Sequence, residues 1–245
     1  MSQPGGGGFA SAFRTGIITG LVFIVVVGVA LGAYVALGHR LPGQGKAESG
    51  RVLIVAGVPD ENGDLIAQVI VDVEATDSSV PPVIFSVDPT SAVTVVGTSY
   101  GHLRDAYPFG GGARVSEAYA RLNGGVTLPY IDLGPEAISQ AIKATGGVTL
   151  DLPLAMNVFD GEDLYTFPAG KVLVDAEEFR AILNGLSYLP GAERRAVLGQ
   201  AAESITALVA EYPGGISSAV NAGTVATDLG TDSIQAFVTR LTQAR

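Results

Sequence analysis

The sequence predicts a layered α/β domain over residues 51–245 behind one N-terminal transmembrane helix. Three observations carry this reading: an uncharged run of 23 residues near the N-terminus, apolar runs of strand length from Arg51 onward, and helical apolar spacing between those runs. The chain has 245 residues, 14 Lys and Arg against 24 Asp and Glu, and a net charge of −10. From Arg51 on there are 23 acids and 11 basic residues, so this part carries −12. Such a domain repels a polyphosphate backbone, which argues against general nucleic-acid binding. Cys is absent and His occurs twice, at His39 and His102. That excludes disulfides, thiolate zinc sites and cysteine nucleophiles, and speaks against a multi-histidine metal site.

The elements follow in order. Residues 1–15 are Gly-rich and read as a disordered cytoplasmic tail. Residues 16–38 form the uncharged run, roughly 34 Å of helix, enough for a ~30 Å hydrocarbon core with some tilt. It is longer than the apolar region of a signal peptide, so an uncleaved anchor is expected. Arg14 precedes it while Arg40, Lys46 and Arg51 follow, and by charge alone the C-terminal side would lie inside. Residues 39–50 read as a polar linker.

Arg51–Gly57 is a continuous apolar strand, and Ile66–Val73 a second one, reached through the turn at Asp60–Gly63. Val83–Val87 and Ala92–Val96 read as strands split by Asp88-Pro89-Thr90-Ser91. A helix is expected over 113–123 and a strand over 127–132. Pro135 then opens a helix at its first position, with Ala137, Ile138, Ala141 and Ile142 on one face and Gly146-Gly147 as the stop. Val148–Leu152 returns to strand. Asp175 with Glu178 forms a capping-box pattern ahead of Phe179, Ile182, Leu183 and Leu186. Longer helices are expected over 193–212 and 233–242.

Several polar groupings invite functional readings. Asp60, Asn62 and Asp64 begin like a calcium loop, but Leu65 and Val71 stand where Gly and Glu are needed. Ser99, His102 and Asp105 have triad residue types, yet their crowding gives no reason for triad geometry. Arg104 and Arg114 flank Gly110-Gly111-Gly112, where backbone N–H groups are able to approach an anion. An ordinary loop with surface arginines accounts for the same residues.

The ordered set of segments resembles the LytR-CpsA-Psr family of bacterial envelope proteins. It comprises HLRDAYPFGGG (102–112), TLPYIDLGPEAISQAIKATGGVTLDLP (127–153), FPAGKVLVDAEEFRAIL (167–183) and VATDLGTDSIQAFVTRL (225–241). The resemblance implies an α-β-α sandwich held outside the cytoplasmic membrane. It also implies phosphotransfer of anionic glycopolymers from polyprenyl pyrophosphate to peptidoglycan, with arginines on the pyrophosphate, carboxylates on Mg²⁺ and an apolar tunnel for the lipid. The helix faces at 137–142 and 179–186 are candidates for a tunnel wall or for packed core.

The departures from the family pattern are specific. Its Arg-Ser-Asp corresponds to Asn62-Gly63-Asp64, which leaves Asp64 as the candidate catalytic and metal-binding carboxylate. Its Ser-Ile-Pro-Arg-Asp corresponds to Ser86-Val87-Asp88-Pro89-Thr90, where a one- or two-residue shift lets Asp88 serve instead. Its Arg-x-Arg reads Asn184-Gly185-Leu186. Arg194 and Arg195 persist, with Gly191 in place of Asp. Arg104, Arg114, Arg194 and Arg195 are therefore the candidate phosphate-binding residues. Asn and Leu cannot give bidentate contacts to phosphate, and one such donor is typically worth ~10³-fold.

These features predict a membrane-anchored, extracytoplasmic protein of envelope assembly, impaired in catalysis, that binds a polyprenyl phosphate or wall glycopolymer or assists active family members. Two rival readings stand beside it. One is a divergent Mg²⁺-dependent phosphotransferase using Asp64, Asp88, Arg104 and Arg194. The other is a docking domain that has kept only the fold and takes no ligand.

Overall fold

The computed structural model describes residues 50–76, 80–159 and 163–243. The expected transmembrane helix at 16–38, with its tail and linker, lies outside the described residues. Among the described residues no helix is long and apolar enough to cross a membrane.

Strand β1 (Arg51–Pro59) is the central strand of the main sheet, with Leu53 to Ala56 fully shielded. It pairs antiparallel with β2 (Leu65–Glu74), from Arg51 opposite Glu74 to Pro59 opposite Leu65, with a bulge at Ala56/Gly57. Strand β3 (Val83–Val87) lies outside β2. A 3₁₀ helix (Leu103–Phe109) and α1 (Gly111–Tyr119) follow, and β4 (Tyr130–Leu133) pairs parallel with β1. Next come α2 (Pro135–Thr145), β5 (Val148–Leu152), β6 (Met156–Phe159), β7 (Leu164–Phe167), β8 (Gly170–Val174), α3 (Ala176–Gly185), α4 (Gly191–Ala210) and α5 (Ile216–Asn221). The chain closes with β9 (Val225–Thr227) and α6 (Thr231–Gln243). The main sheet runs β3-β2-β1-β4-β9, while β5–β8 and β6–β7 form two separate ribbons.

Alternation along β1 and β2 splits the core. Val52, Ile54, Ala56, Val69, Val71 and Val73 face α2, α3, α4 and α6 in one apolar cluster. Leu53, Val55, Ala67 and Ile70 face the 3₁₀ helix and α1 in the other. Helices thus cover both faces of a mixed sheet, which is why its central strand reads as an unbroken apolar run.

The strands expected at 51–57, 66–73, 83–87 and 148–152 are present, as is the helix opened by Pro135 and closed by Gly146 at φ +78°. Ala92–Val96 is a correction: it is no strand, and forms only an isolated bridge between Ala92 and His102. Val93 and Val95 are buried while their neighbours are exposed, so the alternation is real. Their N–H groups donate to Gly101 and Tyr100 carbonyls at 2.9 and 3.4 Å, however, so the segment closes on the following loop and leaves the sheet edge alone. Helix α1 begins at Gly111 rather than 113 and ends at Tyr119. The helix expected over 193–212 starts with Gly191, and β4 is shorter than 127–132 suggests. Residues on the suggested tunnel faces are core: Ile138, Ile142, Phe179 and Ile182 are each 4% exposed or less.

Candidate functional site

A cleft of about 250 Å³ opens where β1 ends and β2 begins. Five separate segments build it: Asp60-Glu61 after β1, Ile66 and Gln68 on β2, Asp88-Pro89-Thr90 after β3, Arg104 on the 3₁₀ helix, and Leu183 to Leu198 from α3 and α4. Each charged side chain is placed by local structure.

Asp60 closes its own turn. Its Oδ1 accepts from the Asn62 and Asp64 backbone N–H groups at 2.9 and 3.0 Å, and Gly63 takes φ +83°. An Asx turn with Gly at the left-handed position is what Asp-x-x-Gly favours. Asp88 repeats the device: its Oδ1 accepts from Thr90 N–H at 2.9 Å and Thr90 Oγ1 at 2.6 Å, while Ser91 N–H reaches its carbonyl. The 3₁₀ helix docks on this turn through Leu103 and Arg104 N–H bonds to the Ser91 and Pro89 carbonyls, which carries Arg104 to the cleft. Arg194 sits in the first turn of α4, where the helix dipole is positive and disfavours another cation. Asp88 offsets this, with Oδ2 at 3.6 Å from Arg194 Nη2.

Asp88 remains a carboxylate below the ordinary range. Burial pushes its pKa up, but the Thr90 hydrogen bonds and the charges of Arg194 and Arg195 prevail. Arg104 Nε lies 3.6 Å from Asp105 Oδ1. The Nε atoms of Arg104 and Arg194 are buried without a hydrogen-bond partner among the described residues. The polar chain along the cleft is neutral: Gln68 Nε2 donates to Asn184 Oδ1 at 2.8 Å, and Asn184 Nδ2 donates to the Pro59 carbonyl at 3.2 Å.

Asp88, Arg104 and Arg194 thus come together. Arg195 acts on Asp88 through its charge but does not line the cleft. Asp64 is exposed on the β1–β2 turn, outside the lining. Arg114 lies on α1, paired with Glu117 at 2.6 Å and bonded to the Val96 carbonyl. The glycine run does approach an oxyanion, but one of the protein's own: Gly112 N–H donates to Asp132 Oδ2 at 2.8 Å, and Tyr107 Oη donates to Oδ1 at 2.9 Å. His102 and Asp105 meet at 3.3 Å as a helix-start pair, half-exposed at the histidine. Asp60, Glu61 and Gln68 are cleft residues that the sequence reading did not assign. Asp60 alone carried a signal, as the head of an Asx turn.

The two carboxylates read as Mg²⁺ and catalytic candidates are not gathered at one point: Asp88 lines the cleft and Asp64 lies outside it. Among the described residues no group of three or more His, Asp or Glu is set to hold a metal. Asp88 has both oxygens engaged, by Thr90 and by Arg194, and Asp64 stands apart from it. No protein-family model matches the sequence, and no curated protein does.

Solved structures do match. The LytR-Csp2A-Psr enzyme from Actinomyces oris gives a TM-score of 0.58 at 15% identity, over 83% of this chain and 79% of that one. A protein described as a transcriptional regulator from Enterococcus faecalis gives 0.58 at 19% identity, over 82% and 75%. TagT bound to LI-WTA gives 0.52 at 14% identity, over 83% and 77%. The fold of this chain is that of the LytR-CpsA-Psr enzymes.

Proposed function

We propose that this protein is a membrane-anchored, extracytoplasmic component of bacterial envelope assembly that holds a glycopolymer, free or on its polyprenyl phosphate carrier, and does not transfer it. The carrying observation is the cleft. It is formed by a fold shared with TagT, whose structure holds a wall teichoic acid precursor. Its arginines face acidic partners, and Asn184 and Leu186 stand where the family pattern has Arg. The uncharged run at 16–38, read as an anchor, supports the membrane attachment in this proposal. Placement outside the membrane rests on the fold likeness and runs against the Lys and Arg count around the anchor.

The cavity between α2 and α3, lined by Val58, Ile138 and Phe179, is about 140 Å³. That is near the ~150 Å³ that takes one benzene-sized molecule, and a larger, open pocket of about 500 Å³ adjoins it at Ser139, Ala176 and Glu177.

Isothermal titration of the full chain in nanodiscs tests this reading, with polyprenyl phosphate and a wall glycopolymer fragment as ligands. Binding of either, with no Mg²⁺-dependent release of polyprenyl phosphate from a pyrophosphate-linked donor, is the expected result. The phosphotransferase reading requires that release, and its loss in Asp64→Ala. Absence of binding to both ligands at high micromolar concentration counts against the proposal.

A further inference from the structure

We infer that the cleft recognises an uncharged, hydroxyl-rich saccharide unit and that Asp88 closes it to phosphate by acting as a built-in anion on Arg194. This rests on the reading that the cleft is the glycopolymer site, and it specifies which part of such a molecule the cleft takes.

Charge is the first argument. Three acids, Asp60, Glu61 and Asp88, line the cleft against two arginines, Arg104 and Arg194, so its own charge is negative. A pyrophosphate site needs the reverse balance, because two or three phosphate charges must be neutralised at close range. Both arginines are also engaged by the protein, Arg194 by Asp88 and Arg104 by Asp105, each at 3.6 Å. A phosphate reaching Arg194 would meet the Asp88 carboxylate, which Thr90 fixes in place.

Hydrogen-bonding capacity is the second argument. Sugar hydroxyls donate and accept, and this cleft supplies both halves. Asp60 and Glu61 accept, the guanidinium groups donate, and Asn184 offers an amide already aligned by Gln68 and the Pro59 carbonyl. A part-buried polar wall anchored on the buried Gln68, whose members orient one another, favours ligands that match it over those that leave a group unpaired. At about 250 Å³ the cleft is just under the ~300 Å³ lower bound for drug-sized ligands, a scale that suits one sugar ring.

The test is paired titration of the full chain with neutral monosaccharides (N-acetylglucosamine, N-acetylgalactosamine, galactose and rhamnose) and with inorganic pyrophosphate, each at low and high salt. The wild type is expected to bind at least one sugar at millimolar concentration with little salt dependence, and pyrophosphate more weakly. Asp88→Asn keeps the acceptor for Thr90 while removing the charge. It is expected to bind pyrophosphate ~10-fold or more tightly than the wild type, with strong salt dependence. Glu61→Gln, at an exposed position that folding does not need, moves in the same direction by a smaller factor. Wild-type preference for pyrophosphate over every sugar, or no gain in Asp88→Asn and Glu61→Gln, overturns the inference and leaves the glycopolymer reading standing. A wild type that binds neither class removes both.

Discussion

Asp132 lies beneath the glycine run with two donors aimed at it, Tyr107 Oη and Gly112 N–H, at 2.9 and 2.8 Å. Burial holds its pKa above the ordinary carboxylate value of 3.8, although both hydrogen bonds work in the other direction. An amide supplies one acceptor where two are required, so its NH₂ would face a donor. Asp132→Asn is therefore expected to cost ~1–3 kcal/mol at neutral pH, measured by urea unfolding. Tyr119 provides a second expectation at this scale. Burial first, then its hydrogen bond to the buried Asp72, pushes its pKa up from 10.0 to about 12. The unfolded chain releases this proton near 10.0 and the folded chain near 12, so the folded state binds more protons between them. Stability then falls as pH rises through that window. Unfolding midpoints taken across it should decline, and Tyr119→Phe should flatten part of the decline.

Among the elements, β1 carries Gly57 at its bulge, and Tyr107 occupies the space where a side chain there would stand. A Cβ at Gly57 would lie 2.1 Å from the Tyr107 ring. Gly57→Ala is expected to destabilise the domain by ~1–3 kcal/mol, and the cost should shrink in a Tyr107→Ala background, where the clash is gone. The start of α3 is set by a reciprocal pair, with Asp175 Oδ1 accepting from Glu177 and Glu178 N–H groups while Glu178 accepts from Asp175 N–H. Asp175→Ala should lower stability by ~1 kcal/mol in thermal or urea unfolding. This cap, the Pro135 start and Gly146 stop of α2, and the buried β1 run were all legible in the sequence, because each is local and its residue types act at fixed spacing. Strands β6, β7 and β8 were not. They are four or five residues long and pair only in ribbons, and although burial alternates along β6 and β8, the apolar Phe159, Leu164 and Leu173 stand on exposed positions, so residue type does not follow the alternation. Val93 and Val95 show the opposite failure, a strand-like alternation that burial alone produces.

At the scale of the whole molecule, the cleft was legible only in fragments. Asp88, Arg104 and Arg194 were readable as candidates, yet 106 residues separate Asp88 from the Arg194 that neutralises it, and no local pattern announces the pairing. Gln68 and Asn184 meet across a similar gap and replace charge with a neutral amide pair. The same assembly separates Asp64 and Arg114 from the cleft, since one rides an exposed turn and the other α1. The proposed preference for hydroxyls over phosphate draws, at this scale, on a chain of net charge −10 whose cleft arginines already face acids. The most direct test is native mass spectrometry of the full chain released gently from its own membrane, incubated with peptidoglycan fragments and followed over time. The account predicts a bound glycan or glycolipid whose mass stays constant. Conversion of that ligand to free polyprenyl phosphate and a glycosylated fragment, or a protein that carries no glycan at all, would contradict it.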